Sequence, residues 1–221
     1  MLFRSWPVAY PAPQQFATRA IAGMWQQIGG QLTGQVRDGF VPANLQSVFA
    51  LESPALSEVI RDINKFSNNV MAQQLFLTLS LQARGSGNWD ASREAMQTWW
   101  RDRIGGEAPV FDNGSGLSRE ERVSALGLAR LLQFAWGSPT MSELMSSLPL
   151  SGLDGTLKRS KSQSIAHLKT GSLRDVAGIA GYVDAANGKR LILVAVLNHA
   201  NAQAARGALD LLVDWTASQK P

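Results

Sequence analysis

With 221 residues, 45% of them hydrophobic, the chain carries enough apolar material for a real core, in one large domain or two small ones. It has no cysteine, which excludes disulfides and thiolate catalysis, and its two histidines, His167 and His199, stand at no metal-site spacing with a carboxylate, so neither a zinc site nor any other cofactor is expected. The formal charge of +4 raises nucleic acid as a partner, but only 17% of residues are charged, and the densest cluster, Lys158, Arg159 and Lys161, lies in a Gly- and Ser-rich loop without interleaved aromatics, which reads as a solvated loop.

In chain order, Phe16, Ala20, Ile21, Met24, Trp25, Ile28 and Leu32 recur at helical spacing and predict a helix over 14–32, weakened at its end by Gly29-Gly30. Gln46 to Leu51 is a short strand candidate. Ser53-Pro54 offers an N-cap followed by proline, and Leu56, Val59, Ile60 and Ile63 then predict a helix to about Lys65. Ser67-Asn68-Asn69 interrupts it before a second apolar helix through Met71, Leu75, Phe76 and Leu79, which places the triplet at a helix–helix junction. Ala91 to Arg103 reads as a further helix. The loop Phe111 to Leu117 leads into Ser118-Arg119-Glu120-Glu121, a capping-box pattern predicting a helix behind it to about Trp136, and Thr140 with Glu143 repeats the box for a shorter helix.

The period then changes. Ile165 to Thr170, Val176 to Asp184 and Arg190 to Asn198 read as strands, with Asn187-Gly188 a hairpin signal between the last two. A final helix carries Ala205, Ala208, Leu209, Leu212 and Trp215. Hairpin-linked strands flanked by helices predict an α+β domain with an antiparallel sheet. The longest apolar run, Leu191 to Leu197, suits a buried strand and not a transmembrane segment.

Two triplets carry chemistry. Lys169-Thr170-Gly171 at a strand end can bind a substrate carboxylate through the lysine and the threonine hydroxyl, while the glycine leaves room for substrate backbone. Lys169 can also lower the basicity of a neighbouring amine, and the N–H of Ser172 can form half of an oxyanion hole. In Ser67-x-Asn69 the hydroxyl can relay a proton and the amide can bond a substrate amide. Alone, each triplet is better explained by an ordinary turn or a helix break. In this order they match S-x-N and K-T-G, two of the three motifs of penicillin-interacting serine enzymes. The third, S-x-x-K, would supply the nucleophile, and no serine in the chain has lysine three positions on.

The surrounding sequence resembles the D-alanyl-D-alanine carboxypeptidases/endopeptidases among the low-molecular-mass penicillin-binding proteins, the type with large inserted domains. The resemblance rests on SPALSEVIRDINKFSNNVMAQQL, on DNGSGLSR (similar to that family's D-G-S-G-L-S-R loop with Asn113 extra or shifted) and on LKTGSLRDVAG, and it covers residues 14 to 216. It implies a three-layer, β-lactamase-like transpeptidase fold lacking its N-terminal part. Residues 1–45 would lead in from the inserted domains, and 46–221 would form catalytic-domain helices and sheet. It also implies an acyl-serine mechanism on peptidoglycan stem peptides, with β-lactams as inhibitors of the complete enzyme and a periplasmic location. Ser67 would be the proton relay, Asn69 a substrate contact, Lys169 and Thr170 carboxylate and proton-network groups, and Gly171, Ser172 and Ser115 would line the substrate. Ser118 would be a loop cap or a site residue, and His167 a strand side chain and not a base. Met1 to Pro7 shows no signal-peptide core. With the nucleophile absent from its sequence, the chain alone is expected to be inactive; a non-catalytic module that keeps the cleft for peptidoglycan or a partner is the alternative. The last strand, Arg190 to Asn198, is expected to lack a neighbour, an apolar edge that risks association.

Overall fold

A computed structural model describes residues 12–219, so Met1 to Pro7 lies outside the described residues. The chain divides into two compact units, Met1–Glu52 and Ser53–Pro221. In the first, a 3-10 turn at Pro13–Gln15 leads into α1, Phe16–Gln27. The strand expected at Gln46 to Leu51 is not formed. Its apolar residues Val48, Phe49 and Leu51 stay exposed, and the Ser47 hydroxyl donates to Phe49 O, closing a local turn.

The second unit begins with α2, Leu56–Phe66, and α3, Asn69–Arg84. The cap of α2 is Ala55, without a side-chain bond, and not Ser53 as expected. Pro54 stays outside the helix, which begins only at Leu56, so Ser53 lies too far from the first turn to cap it. At the junction Asn68 caps α3, its Oδ1 accepting from Met71 N–H at 3.1 Å. Helix α4, Trp89–Arg103, starts two residues earlier than its apolar pattern, because the Asn88 side chain accepts from Ala91 N–H.

The capping box at Ser118 is a correction. Helix α5 spans Ala125–Trp136 and is capped by Ser124, whose Oγ accepts from Gly127 N–H. The Ser118 hydroxyl instead accepts from Glu120 N–H, Glu121 accepts from Gly114 N–H, and Arg122 pairs with Val110 through two backbone bonds. Loop closure takes the residues that would otherwise start the helix. Likewise Thr140 precedes α6, Met141–Ser147, but its hydroxyl pairs with Ser138 and caps nothing.

Three strands follow: β1, Ala166–Leu173; β2, Val176–Asp184; β3, Arg190–Asn198. They form an antiparallel sheet in the order β1-β2-β3, with Ala166 opposite Val183 and Asp184 opposite Arg190. Asn187 and Gly188 lie in the β2–β3 turn, with Gly188 at φ 80° and Asn187 Oδ1 accepting from Lys189 N–H. Helix α7, Arg206–Ala217, closes the chain.

Side chains alternate across a strand. On one sheet face Ala166, Leu168, Ala177, Ile179 and Val183 pack against Leu209, Val213 and Ala217 of α7. On the other, Tyr182 packs with Leu132 and Leu148, and its hydroxyl donates to Leu132 O at 2.7 Å. The result is an α+β arrangement with helices on both faces of an antiparallel sheet. Among the described residues, β3 has no neighbour beyond β2, and its Ile192 and Val196 remain partly exposed.

Candidate active site

The outer edge of β1 is where the two triplets meet. Its first part is covered by 149–151: Leu168 N–H donates to Pro149 O, and Ser151 N–H donates to Ala166 O, both at 2.9 Å. From Lys169 onward the edge faces a cleft of about 860 Å³, lined among others by Ser67, Asn69, Ser115, Lys169, Thr170 and Ser172. Every second residue of a strand turns its N–H the same way, so the outward N–H of Leu168 places those of Thr170 and Ser172 outward too.

Ser67 and Lys169 come together directly. The lysine ammonium donates to Ser67 Oγ at 2.6 Å and to Thr170 O at 3.0 Å. Burial drives the Lys169 amine below the ordinary lysine value, since a charged group loses hydration there. Ser67 closes α2 in the left-handed region, φ 53° and ψ 50°, and is the single non-glycine residue with positive φ among the described residues. Strain of this kind persists where the surroundings over-determine the backbone, and it concentrates at functional sites.

Asn69 faces the second loop: its Nδ2 donates to Ser115 O at 2.6 Å. That loop is internally braced, with Ser115 N–H donating to Asn113 Oδ1 and Leu117 N–H to Ser115 Oγ. Arg119 extends from it to Asp175 in the β1–β2 turn at 2.9 Å, and this guanidinium is the main cause holding the Asp175 carboxyl below its usual range. Thr170, on the opposite face of β1 from Lys169, shares a 2.7 Å hydroxyl contact with Thr156. A side chain at Gly171 would meet nothing within 4 Å, so the glycine leaves open space over the strand. Ser172 Oγ accepts from Arg206 at 2.6 Å and from Gln203 at 3.2 Å.

All seven residues picked from the sequence, Ser67, Asn69, Ser115, Lys169, Thr170, Gly171 and Ser172, line this one cleft. Ser118 turns away into its loop, and His167 is a half-buried strand residue whose burial lowers its pKa. Sequence reasoning missed Thr156, Arg206 and Arg159. Arg159, a member of the basic loop cluster, is exposed but lines the cleft, whose charged lining is Lys169, Arg159, Arg206 and the single acid Asp210. Asp210 is already engaged by the Ser160 hydroxyl at 2.7 Å and by Lys161 N–H at 3.1 Å. The cleft is therefore cationic and suited to carboxylates. No cluster of potential metal ligands occurs among the described residues.

Helices on both faces of an antiparallel sheet, with a Ser–Lys contact at its open edge, give a fold similar to that of penicillin-binding proteins and β-lactamases. The D-Ala-D-Ala carboxypeptidase 3 (S13) family matches residues 4–219, and the chain belongs to that family. It is 32% identical over 177 residues to the D-alanyl-D-alanine carboxypeptidase of Actinomadura sp. (strain R39), covering 73% of this chain and 32% of that protein. It is 24% identical to the D-alanyl-D-alanine carboxypeptidase DacB of Haemophilus influenzae, covering 83% of this chain and 40% of the relative. The chain thus spans about a third to two fifths of the length of these relatives. Among solved structures, penicillin binding protein 4 (dacB) from Haemophilus influenzae, complexed with a β-lactam, superposes with a TM-score of 0.77 at 22% identity, over 95% of this chain and 51% of that one. The penicillin G-acylated predatory endopeptidase Bd3459 from Bdellovibrio bacteriovorus gives 0.60 at 17% identity, over 96% of this chain and 59% of that one. No helix among the described residues is long and apolar enough to cross a membrane.

Proposed function

We propose that this chain carries the S-x-N and K-T-G side of a serine D,D-peptidase cleft that grips the D-Ala-D-Ala end of peptidoglycan stem peptides. The observation that carries the reading is the Lys169–Ser67 contact of 2.6 Å beside an open strand edge in a cationic cleft. An extended peptide can add to such an edge through main-chain bonds, and its terminal carboxylate finds Thr170 and the nearby cations. The depressed Lys169 pKa favours proton exchange with Ser67, which can pass the proton to the leaving amine. The outward Ser172 N–H would hold one side of an oxyanion, and Asn69 would steady the substrate amide.

The acylated serine comes from an S-x-x-K segment that these 221 residues do not contain. The chain alone therefore binds the peptide tail without turning it over, and its setting is the bacterial cell wall, in the periplasm. A fluorescent penicillin should leave no covalent adduct on this chain by gel or mass spectrometry, while joining it in one polypeptide to an upstream S-x-x-K segment should restore labelling. A stable adduct on the 221-residue chain would refute the assignment of the nucleophile. The intact cleft without S-x-x-K also fits a binding module, for peptidoglycan or a protein partner. The coding sequence upstream separates the two: an in-frame S-x-x-K removes the module reading.

A further inference from the structure

One ion pair takes no part in the chemistry above, yet each of its two members lies two residues from a residue that lines the cleft. Lys65, in the last turn of α2, is 7% exposed and is the only buried charged residue among those described. Its ammonium donates to Leu148 O at 2.7 Å and to Asp154 Oδ2 at 2.6 Å, while Asp154 Oδ1 accepts from Leu150 N–H at 2.8 Å. Burial raises the Asp154 carboxyl, but the bonds from Lys65 and Leu150 outweigh it and leave the group below its ordinary value. Beside this pair Asn64 Nδ2 donates to Ser147 Oγ at 2.8 Å. Gly155, at φ +52°, runs so close beneath that a Cβ there would fall 2.5 Å from the Lys65 carbonyl oxygen. Two residues on from Lys65 is Ser67; two residues on from Asp154 is Thr156, which touches Thr170.

We propose that the Lys65–Asp154 pair is the positioning element of the cleft, holding Ser67 in its left-handed conformation against Lys169 and, through Gly155 and Thr156, setting the hydroxyl of Thr170. A non-glycine residue does not stay left-handed unless its neighbours fix it. Apolar burial does not fix this turn, because Phe66 is 70% exposed. A buried ammonium with two acceptors does, since any shift strands a charge away from water. Both motifs are thus referenced to one anchor, and their separation does not depend on loops alone.

The test compares Lys65→Met and Asp154→Asn with Val213→Ala, a core substitution in α7 on the sheet face away from Lys169. The ε-carbon resonance of Lys169, assigned with Lys169→Arg in lysine-labelled protein, is titrated against pH while folding is followed by circular dichroism. Loosening the anchor lets water reach Lys169, so its midpoint should rise by about half a unit or more in Lys65→Met, and in the same direction in Asp154→Asn. Val213→Ala should lower the melting temperature and leave the Lys169 midpoint in place. In parallel, affinity for an N-acylated D-Ala-D-Ala peptide should fall about tenfold in Lys65→Met. If both anchor variants melt lower yet titrate like wild type, or if Val213→Ala moves Lys169 equally, the pair is only structural and the proposal is overturned. Should Lys65→Met not fold, Asp154→Asn decides. Only the peptide measurement rests on the function proposed above: if wild type binds no peptide, that function fails while the titration still decides the positioning role.

Discussion

Replacing Ser67 by alanine and by glycine separates the hydrogen bond from the backbone strain at one position. Both changes delete the 2.6 Å bond from Lys169. A bond to a charged group contributes about 1.5–3 kcal/mol, and the lower figure applies here because Lys169 keeps Thr170 O and the cleft admits water. Alanine retains the left-handed strain at φ 53°, which costs about 1–2 kcal/mol. Glycine relieves that strain but returns about 0.4–1 kcal/mol through the greater freedom of its unfolded chain. Ser67→Gly should therefore be more stable than Ser67→Ala by roughly 0.5–1 kcal/mol, or about 1–4 °C in melting temperature for a chain of this length. Both should melt below wild type in calorimetry at neutral pH. If Ser67→Ala melts at or above Ser67→Gly, residue 67 is not left-handed in solution and the strain argument fails.

The remaining expectations concern charge and close packing. Lys169 has a native pKa below its ordinary 10.5, so the unfolded chain holds more protons between those two values, and wild-type stability rises with pH across that window. The melting temperature of wild type relative to Lys169→Met should accordingly improve with rising pH and level off above 10.5; a flat difference counts against a desolvated amine. Asp154 is shifted the other way: its contribution is complete above 3.8 and is lost as pH falls through its lower native value, so wild type and Asp154→Ala should converge in acid. At neutral pH that substitution should cost about 1–2 kcal/mol, less than a fully buried pair because the carboxylate is 38% exposed, as urea unfolding can measure. Gly155→Ala meets both a left-handed backbone and the Lys65 carbonyl, and should cost about 2 kcal/mol or more by the same method. Arg119→Ala removes an exposed ion pair and should change stability by less than about 1 kcal/mol, while calorimetric titration should show weaker peptide binding from a loosened loop.

The sheet was legible because period-two patterning and Asn187-Gly188 leave little choice: β2 and β3 begin and end at the expected residues. Strand β1 runs three residues past Thr170, since pairing with β2 overrides the turn character of Gly171 and Ser172. Helix starts were read less well wherever a serine or threonine had a competing bond. Ser118 and Thr140 cap nothing in the helices assigned to them because their hydroxyls close loops whose partners local pattern does not reveal. Gln46 to Leu51 has strand composition but forms no strand, since composition by itself supplies no partner. The site's two triplets were readable as short contiguous words. Thr156, Arg206 and the Lys65–Asp154 pair were not, because each acquires meaning through a contact 14 to 89 residues away.

Because Lys169 and Thr170 are neighbours on one strand, they point to opposite sides of the sheet, one to Ser67 and the other to Thr156. Which of them meets the serine is decided by strand registry alone. Loss of a single residue between Ala166 and Leu168, compensated by a one-step slide of β1, would preserve the composition of the cleft and swap ammonium for hydroxyl. Segment length before the lysine is therefore as much a determinant of chemistry here as the lysine itself, and length variants, unlike point substitutions, offer no graded retreat.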